Sequence, residues 1–363
     1  MTEVQADARV RQVFGGVDTH DQTHTAAAVD TAGQLLGHAT VPATPAGYRQ
    51  LLGWLQRLGV VVKVGVEGTG SYGAGLARFL SAAGVVLVEV DRPNRQTRRR
   101  RGKTDPVDAE AAARAALAGT AAGTPKTRTG PVEAIRVLRV ARRGAMKART
   151  ATLNTLVQTV VTAPEPLHTQ LAGLRGKKLI QAAAALRPRH DPADLTNPIR
   201  ATKLALRRLA QRCRDLDAEI AATDEDLHAL ITATAPGLLD QYGVGIDVAG
   251  QLLVTAGDNP DRLHTEASFA ALCGTSPVPV SSGRTNRHRL NRGGDRHANS
   301  ALYTVAIVRM SHHHPATHNY LTRSRAQGRT TKETIRCLKR YIARELLPHI
   351  RQALTPQQTL DGL

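Results

Sequence analysis

Short strand-like runs of apolar residues, QVFGGVDTH, HTAAAVD and GQLLGHAT, follow one another from residue 12 and are separated by turn residues, a pattern that predicts three β-strands. A helical stretch around PAGYRQLLGWLQRLG comes next. It is followed by a β-rich run VVVKVGVEG, a helix through YGAGLARFLSAAG, a strand VVLVEV and an Ala-rich helix beginning at Asp105. Residues 12–120 therefore read as α/β in the order βββαβαβα.

The pattern then changes period. Over residues 131–162, Val132, Ile135, Leu138, Leu153, Leu156 and Val160 form a helical stripe among many arginines. A Pro-containing, irregular break is expected over 163–198. Beyond it Leu206, Leu209, Cys213, Leu216, Ile220, Leu227 and Leu230 fall alternately three and four apart, with Thr223 in the one missing slot. That is the spacing of a coiled-coil seam, and equally of an amphipathic helix packed on its own protein, so a helical hairpin and a dimerising stalk are both open. After about residue 233, YGVGIDVAGQLL sets a Gly-x-Gly turn before a helical run, resembling a helix-hairpin-helix loop whose N–H groups can face a phosphate. A closing helix surrounds KETIRCLKRYIARELL. The expected organisation is an α/β domain over 10–125, a helical or coiled-coil connector over 126–232, and a mainly α domain over 233–363.

Charge adds a partner to this outline. The 363 residues carry 49 Lys and Arg against 30 Asp and Glu, a formal charge of +19, which points to a polyanion, most often nucleic acid. Cys213, Cys273 and Cys337 stand far apart without CxxC spacing, which argues against a disulfide framework or a cysteine zinc site. No apolar run approaches the roughly 18 residues of a membrane span. A soluble, cytoplasmic, nucleoid-associated protein is expected.

Four acids stand out by position. Asp18 ends the first strand in GVDTH, Glu67 ends the fourth in VEGTG, and Asp105 and Asp108 open the Ala-rich helix. In a sheet of this order the ends of strands one and four lie side by side, so the first two can converge and the helix start can close the site. Clustered carboxylates repel one another unless a cation neutralises them, and hard oxygen donors suit Mg²⁺, with Mn²⁺ as an alternative. Two such ions about 4 Å apart stabilise both the attacking and the leaving oxygen of a phosphodiester. Each acid also has an ordinary reading. Asp18 can be a turn residue and Glu67 a solvated strand end. Asp105 before Pro106 fits an N-cap with proline at the first helical position, and Asp108 then sits where a capping box puts an acid.

Basic residues flank these acids. Arg98, Arg99, Arg100, Arg101 and Lys103 precede the helix and are candidate phosphate contacts, or else a solvated loop. They are not part of a GxxxxGK[ST] phosphate loop, because Thr97 stands where that pattern needs glycine. In SSGRTNRHRLNRGG, Ser281 and Ser282 are followed by Arg284, Arg287, Arg289 and Arg292. Arginines there can stabilise charge on a phosphate attacked by an activated serine; taken alone, the stretch reads as a flexible nucleic-acid contact. His312, His313, His314 and His318 lack a carboxylate or cysteine companion and read as a helix end rather than a zinc site.

Taken together, GVDTHDQTHTAAAVD, VEGTGSYG, RGKTDPVDAEAAARA, LCGTSPVPVSSGR and LNRGGDRHANSALY resemble the DEDD transposases of insertion sequences, the RNA-guided bridge recombinases. The resemblance spans nearly the whole chain. It implies an RNase H-like, RuvC-like N-terminal domain with Asp18, Glu67, Asp105 and Asp108 as catalytic Mg²⁺ ligands. It also implies a separate transposase domain whose nucleophile falls on Ser282, with Ser281 as the alternative alignment. The implied partners are donor and target DNA, a structured noncoding guide RNA from the same element, and further copies of the chain, as a dimer that becomes a tetramer on nucleic acid. The implied reaction is strand exchange through a phosphoserine link, without ATP. The lack of an obvious helix-turn-helix or zinc finger agrees with sequence reading delegated to RNA.

Three rivals remain at this stage. A RuvC-like nuclease would use water as nucleophile. A non-catalytic scaffold would use the acids as caps and salt-bridge partners. An actin-like sugar kinase is loosely echoed by GVDTH and VEGTGSYG, but the +19 charge and the helix-borne Asp pair argue against it.

Overall fold

The computed structural model describes residues 11–90, 104–121, 123–188, 196–259, 262–263, 265–281, 283 and 288–355. They form two compact units: residues 1–130 with 256–269, and residues 131–255 with 270–363. The first unit is thus discontinuous in sequence.

Unit 1 is built on a five-stranded mixed sheet of order β3-β2-β1-β4-β5, comprising β1 (Gln12–Thr19), β2 (Thr23–Val29), β3 (Leu35–Pro42), β4 (Val60–Glu67) and β5 (Leu87–Val90). β1, β2 and β3 pair antiparallel as a meander, whereas β4 runs parallel to both β1 and β5. The strand and helix order expected from the sequence is the one observed. Helices α1 (Pro45–Leu58) and α2 (Ala74–Ala82) supply the crossovers. α1 starts on Thr44, whose Oγ1 accepts from the Gly47 N–H at 3.2 Å, with proline in its first turn where the missing N–H costs nothing. Its buried Leu51 and Leu55 pack with Val13, Val17, Val64, Val66, Leu76 and Leu80 into the apolar core. Each such side chain contributes about 1.5–3 kcal/mol through burial.

The other face of the sheet is covered by α3 (Asp105–Leu117). Ala109, Ala112, Ala113 and Ala116 are all buried along it, so the helix approaches the strands with little side chain between. Gly16 and Gly65 complete that approach. A Cβ on Gly16 would lie 2.0 Å from the Ala113 nitrogen, and one on Gly65 would lie 2.6 Å from the Ala112 oxygen.

Unit 2 is mostly helical. α4 (Pro131–Val161) and α7 (Pro198–Thr234) pack along each other in antiparallel fashion. Leu206, Ala210, Cys213, Leu227 and Ile231 of α7 are buried, while Arg149 and Asp217 pair at 2.7 Å and Arg142 pairs with Asp224. Of the seam read in the sequence, Leu206, Cys213 and Leu227 therefore serve an intrachain hairpin, and Leu209, Leu216, Ile220 and Leu230 remain half-buried. The expected irregular break at 163–198 is corrected: it contains α5 (Leu167–Leu171) and α6 (Gly176–Ala184). Both are too short to print a periodic pattern, yet Leu167, Leu171, Leu179, Ile180 and Ala183 pack into one cluster with Leu156, Leu206 and Cys213.

The remainder comprises α8 (Pro236–Leu239), α9 (Ile246–Ala256), α10 (Glu266–Leu272), the two-stranded ribbon β6 (Val278–Pro279) and β7 (His288–Arg289), α11 (Arg296–Ser311), α12 (Pro315–Ala326) and α13 (Thr331–Leu354). α13 opens with a reciprocal capping box between Thr330 and Glu333. His312, His313 and His314 occupy the turn from α11 into α12, and His318 lies within α12. No helix among the described residues is long and apolar enough to cross a membrane.

Candidate active site

Side chains alternate across a strand, so Asp18 shares the face of Gly16 and Glu67 that of Gly65. Both glycines lie under α3, and both acids lie two residues farther along, on the same side of the sheet. Val17 pairs with Val66 in the parallel β1–β4 ladder, so Asp18 and Glu67 follow at the same level of neighbouring strands. Thr19 Oγ1 locks that level by donating to the Glu67 carbonyl at 2.8 Å. The N-terminal end of α3 brings in Asp105 and Asp108.

The capping reading of these two aspartates is corrected. Thr104 is the N-cap residue, with extended backbone and no side-chain cap bond, and Asp105 is already helical. Proline is tolerated one position later than expected, because the first several N–H groups of a helix have no internal partner in any case. Asp105 and Asp108 therefore stand in the first turn, where the helix dipole favours negative charge.

Asp18, Asp105 and His20 come together: one ligand atom from each lies within 4.8 Å of the others. His20 Nε2 is 3.3 Å from Asp18 Oδ2 and 3.4 Å from Asp105 Oδ1. Glu67 and Asp108 lie outside that tight group, Glu67 half-buried and Asp108 buried at 4 % exposure. Burial pushes the Asp18 carboxyl above the usual range; His20 opposes this, while the charges of Asp105 and Asp108 push it further up. Such a site holds negative charge at a cost and favours a cation that relieves it. His20 was not among the residues singled out from the sequence. Its only signal was a histidine two places after a strand-end aspartate.

Of the other sequence candidates, Ser282, Arg98, Arg99, Arg100, Arg101, Lys103, Arg284 and Arg287 lie outside the described residues. Ser281 is exposed in the connection between β6 and β7, Arg289 is exposed on β7, and Arg292 is exposed just before α11.

A profile of DEDD transposases of the IS110 type, described as "Transposase", matches residues 15–163, the stretch that holds all four acids. A second, described as "Transposase IS116/IS110/IS902 family", matches residues 237–322. The chain belongs to the IS110 family of DEDD transposases. It is also 34 % identical over 122 residues to the insertion element IS110 uncharacterized 43.6 kDa protein of Streptomyces coelicolor, a stretch that covers 33 % of this chain and 30 % of that protein.

Within the second matched stretch of this IS110-family chain, LNRGGDRHANSALY has a clear structural logic. Gly294 sits so close to Gly274 that a Cβ would lie 2.1 Å from its nitrogen. Asp295 caps α11 by accepting from His297 N–H at 2.8 Å, and its second oxygen accepts from Thr255 at 2.7 Å. Asn299 donates to the Cys273 and Gly274 carbonyls and accepts from Lys339 at 2.7 Å. The Gly-x-Gly turn, with Gly243 at φ +82, precedes α9 and borders a cleft of about 850 Å³ in unit 2 that Arg139, Arg142, Arg143 and His297 also line. Arg139 is held by Asp247 at 2.8 Å and Arg142 by Asp224, whereas Arg143 is exposed beside His297.

Proposed function

We propose that the chain catalyses DNA strand cleavage and exchange for the mobility of an insertion sequence, and that unit 1 is an RNase H-like, RuvC-like metal-dependent domain. The observation that carries this reading is the meeting of Asp18, from a strand end, with Asp105, from a distant helix start, in a family of DEDD transposases. The donor set suits a divalent cation: carboxylate oxygens of Asp18 and Asp105 crowd together, with a buried ring nitrogen of His20 beside them. Asp18, Glu67, Asp105 and Asp108 would hold Mg²⁺, or Mn²⁺ in its place. Bound there, the ion supplies Lewis-acid stabilisation of charge on a phosphodiester.

The remaining chemistry belongs to the chain. Ser282, or Ser281 beside it, attacks the scissile phosphorus. The serine Oγ–P bond forms, the P–O3′ bond breaks, and the serine proton passes to the departing 3′ oxygen. The phosphoserine link keeps the phosphodiester energy, so a 3′ hydroxyl can later displace the serine without ATP. Arg284, Arg287, Arg289 and Arg292 neutralise the phosphate, as do Arg98, Arg99, Arg100, Arg101 and Lys103 from the other matched segment. The cleft lined by Arg143 and His297 offers a further nucleic-acid contact. A structured RNA from the element guides the choice of DNA. Copies of the chain assemble as a dimer and then a tetramer, for which the half-buried leucines of α7 offer a face.

The test is incubation of the protein and its copurifying RNA with duplexes carrying the element ends and Mg²⁺. A covalent protein–DNA adduct is expected, abolished by Ser282→Ala and by Asp18→Asn and retained by Ser281→Ala. Cleavage without any adduct would favour water as nucleophile. Absence of enriched RNA from the element would sink the guided reading.

A further inference from the structure

We propose that His20 is a metal ligand of the acidic site, so that its donor set is mixed nitrogen and oxygen and selects Mn²⁺ over Mg²⁺ more strongly than carboxylates alone would. This rests on the reading of that site as a divalent-cation centre.

The geometry at Nε2 is what sets His20 apart. His20 opens the β1–β2 turn, and its backbone N–H donates to the Thr23 carbonyl at 3.1 Å. Its side chain is 44 % exposed overall, yet Nε2 itself is buried, facing the acids. A buried ring nitrogen needs either a proton shared with such acids or a cation at its lone pair. Two carboxylate oxygens stand beside it, Asp18 Oδ2 at 3.3 Å and Asp105 Oδ1 at 3.4 Å, ion-pair partners for a protonated ring and fellow donors to a cation for a neutral one.

That spacing fits donors sharing one ion. Atoms that each lie about 2.1 Å from a small cation stand about 3.0 Å apart at a right angle and about 3.4 Å apart at a near-tetrahedral angle. The three candidate donor atoms all lie within 4.8 Å of one another. Charge argues the same way. Asp18 and Asp105 already bring two carboxylates into this inner group, so a further anion there would add repulsion. A neutral imidazole adds a donor without adding charge. Imidazole is a softer base than carboxylate and binds Mg²⁺ poorly, while Mn²⁺ accepts both donor types.

A direct readout is electron spin-echo spectroscopy of Mn²⁺ bound to the full-length protein, which reports ¹⁴N coupling from a ligating imidazole independently of turnover. Titration with Mn²⁺ and with Mg²⁺ would accompany it, for the wild type and for His20→Ala, His20→Gln and Asp18→Asn. A ¹⁴N signal is expected in the wild type and not in either His20 variant. Mn²⁺ affinity should fall on the order of ten- to hundredfold in those variants, with a smaller loss for Mg²⁺. Wild-type Mn²⁺ bound tightly and weakened by Asp18→Asn, but without nitrogen coupling, would overturn the role of His20 and leave the acidic centre standing. Mn²⁺ binding that Asp18→Asn does not weaken would overturn the acidic centre itself.

Discussion

Gly16 and Ala113 touch through their backbones: a Cβ on Gly16 would stand 2.0 Å from the Ala113 nitrogen and 2.2 Å from the Ala109 oxygen. Neither atom belongs to a side chain that can turn away, so Gly16→Ala must lift α3 from the sheet. A loss of about 3 kcal/mol or more is expected from such overpacking, measured by urea unfolding. Divalent-cation affinity should fall with it, since α3 carries Asp105 and Asp108. Gly144→Ala is the matched control. That glycine is exposed within α4 with nothing near its absent Cβ, so alanine should stabilise by about 1 kcal/mol through helix propensity. A Gly16→Ala variant as stable as the wild type would show that α3 is not seated on β1 as described.

The order of elements in unit 1 was legible because period-two and helical runs alternate cleanly there, and that order alone puts the ends of β1 and β4 side by side. Asp18 and Glu67 followed from it. The cap of α3 was misread because proline fits several first-turn positions, and a sequence does not say which N–H groups are already without partners. His20 stayed hidden for a different reason. Its neighbour Asp105 lies 85 positions away, and only the seating of an Ala-rich helix on two glycines brings them to 3.4 Å. The α7 seam was visible as a stripe, but a stripe does not name what covers it. In this chain α4 covers part, through Arg149–Asp217 and Arg142–Asp224. The short helices at 167–171 and 176–184 and the ribbon of β6 with β7 are held by tertiary packing and pairing, which leave little periodic trace.

Asp18→Asn should separate stability from metal binding. The wild-type carboxylate is 8 % exposed and faces the charges of Asp105 and Asp108. Removing its charge relieves that repulsion while keeping its shape. In EDTA at neutral pH the variant is expected to melt at a higher temperature than the wild type. With Mn²⁺ added, the wild type should gain stability by mass action and the variant should not. A variant that melts lower in EDTA would mean that Asp18 is held chiefly by favourable contacts, and that the crowding has been overstated.

In unit 2 the pair of Arg309 with Glu345 makes stability depend on pH. Arg309 is 3 % exposed, donates to both Glu345 oxygens at 2.7 and 2.8 Å, and spends its Nε–H on the Tyr242 carbonyl at 2.9 Å. These bonds hold the Glu345 carboxyl below the usual range. A carboxylate with a depressed folded pKa contributes stability that is present above its unfolded value, about 4.3, and lost as pH falls through the folded value. Because Glu345 is 45 % exposed, water screens part of the interaction. Glu345→Gln is expected to cost about 1–3 kcal/mol near neutral pH, and the gap to the wild type should close below about pH 4. Parallel urea melts across that range measure it. A gap that stays constant down to pH 3 would assign the loss to packing.

Arg262 is where the later part of the chain completes the first unit. Residues 256–269 belong to the compact unit that holds the acidic site. Arg262 donates from Nε to the Thr124 carbonyl at 2.8 Å and from Nη1 to the Ala256 carbonyl at 3.2 Å, and it pairs with Glu89 at 3.8 Å. Asn259 adds a bond to the Pro125 carbonyl at 3.0 Å. Glu89 in turn accepts from Thr69 at 2.6 Å, just beyond Glu67. With its side chain only 13 % exposed, Arg262 cannot be cut back without leaving carbonyls unpaired and Glu89 uncompensated. Arg262→Met is expected to destabilise unit 1 by about 2–4 kcal/mol, read from hydrogen exchange of the β4 and β5 amides. A fragment ending at residue 130 lacks every bond made by Asn259 and Arg262 and should show the same loss of protection or a larger one. Full protection of β5 in that fragment would mean that the acidic domain is complete without the segment at 256–269.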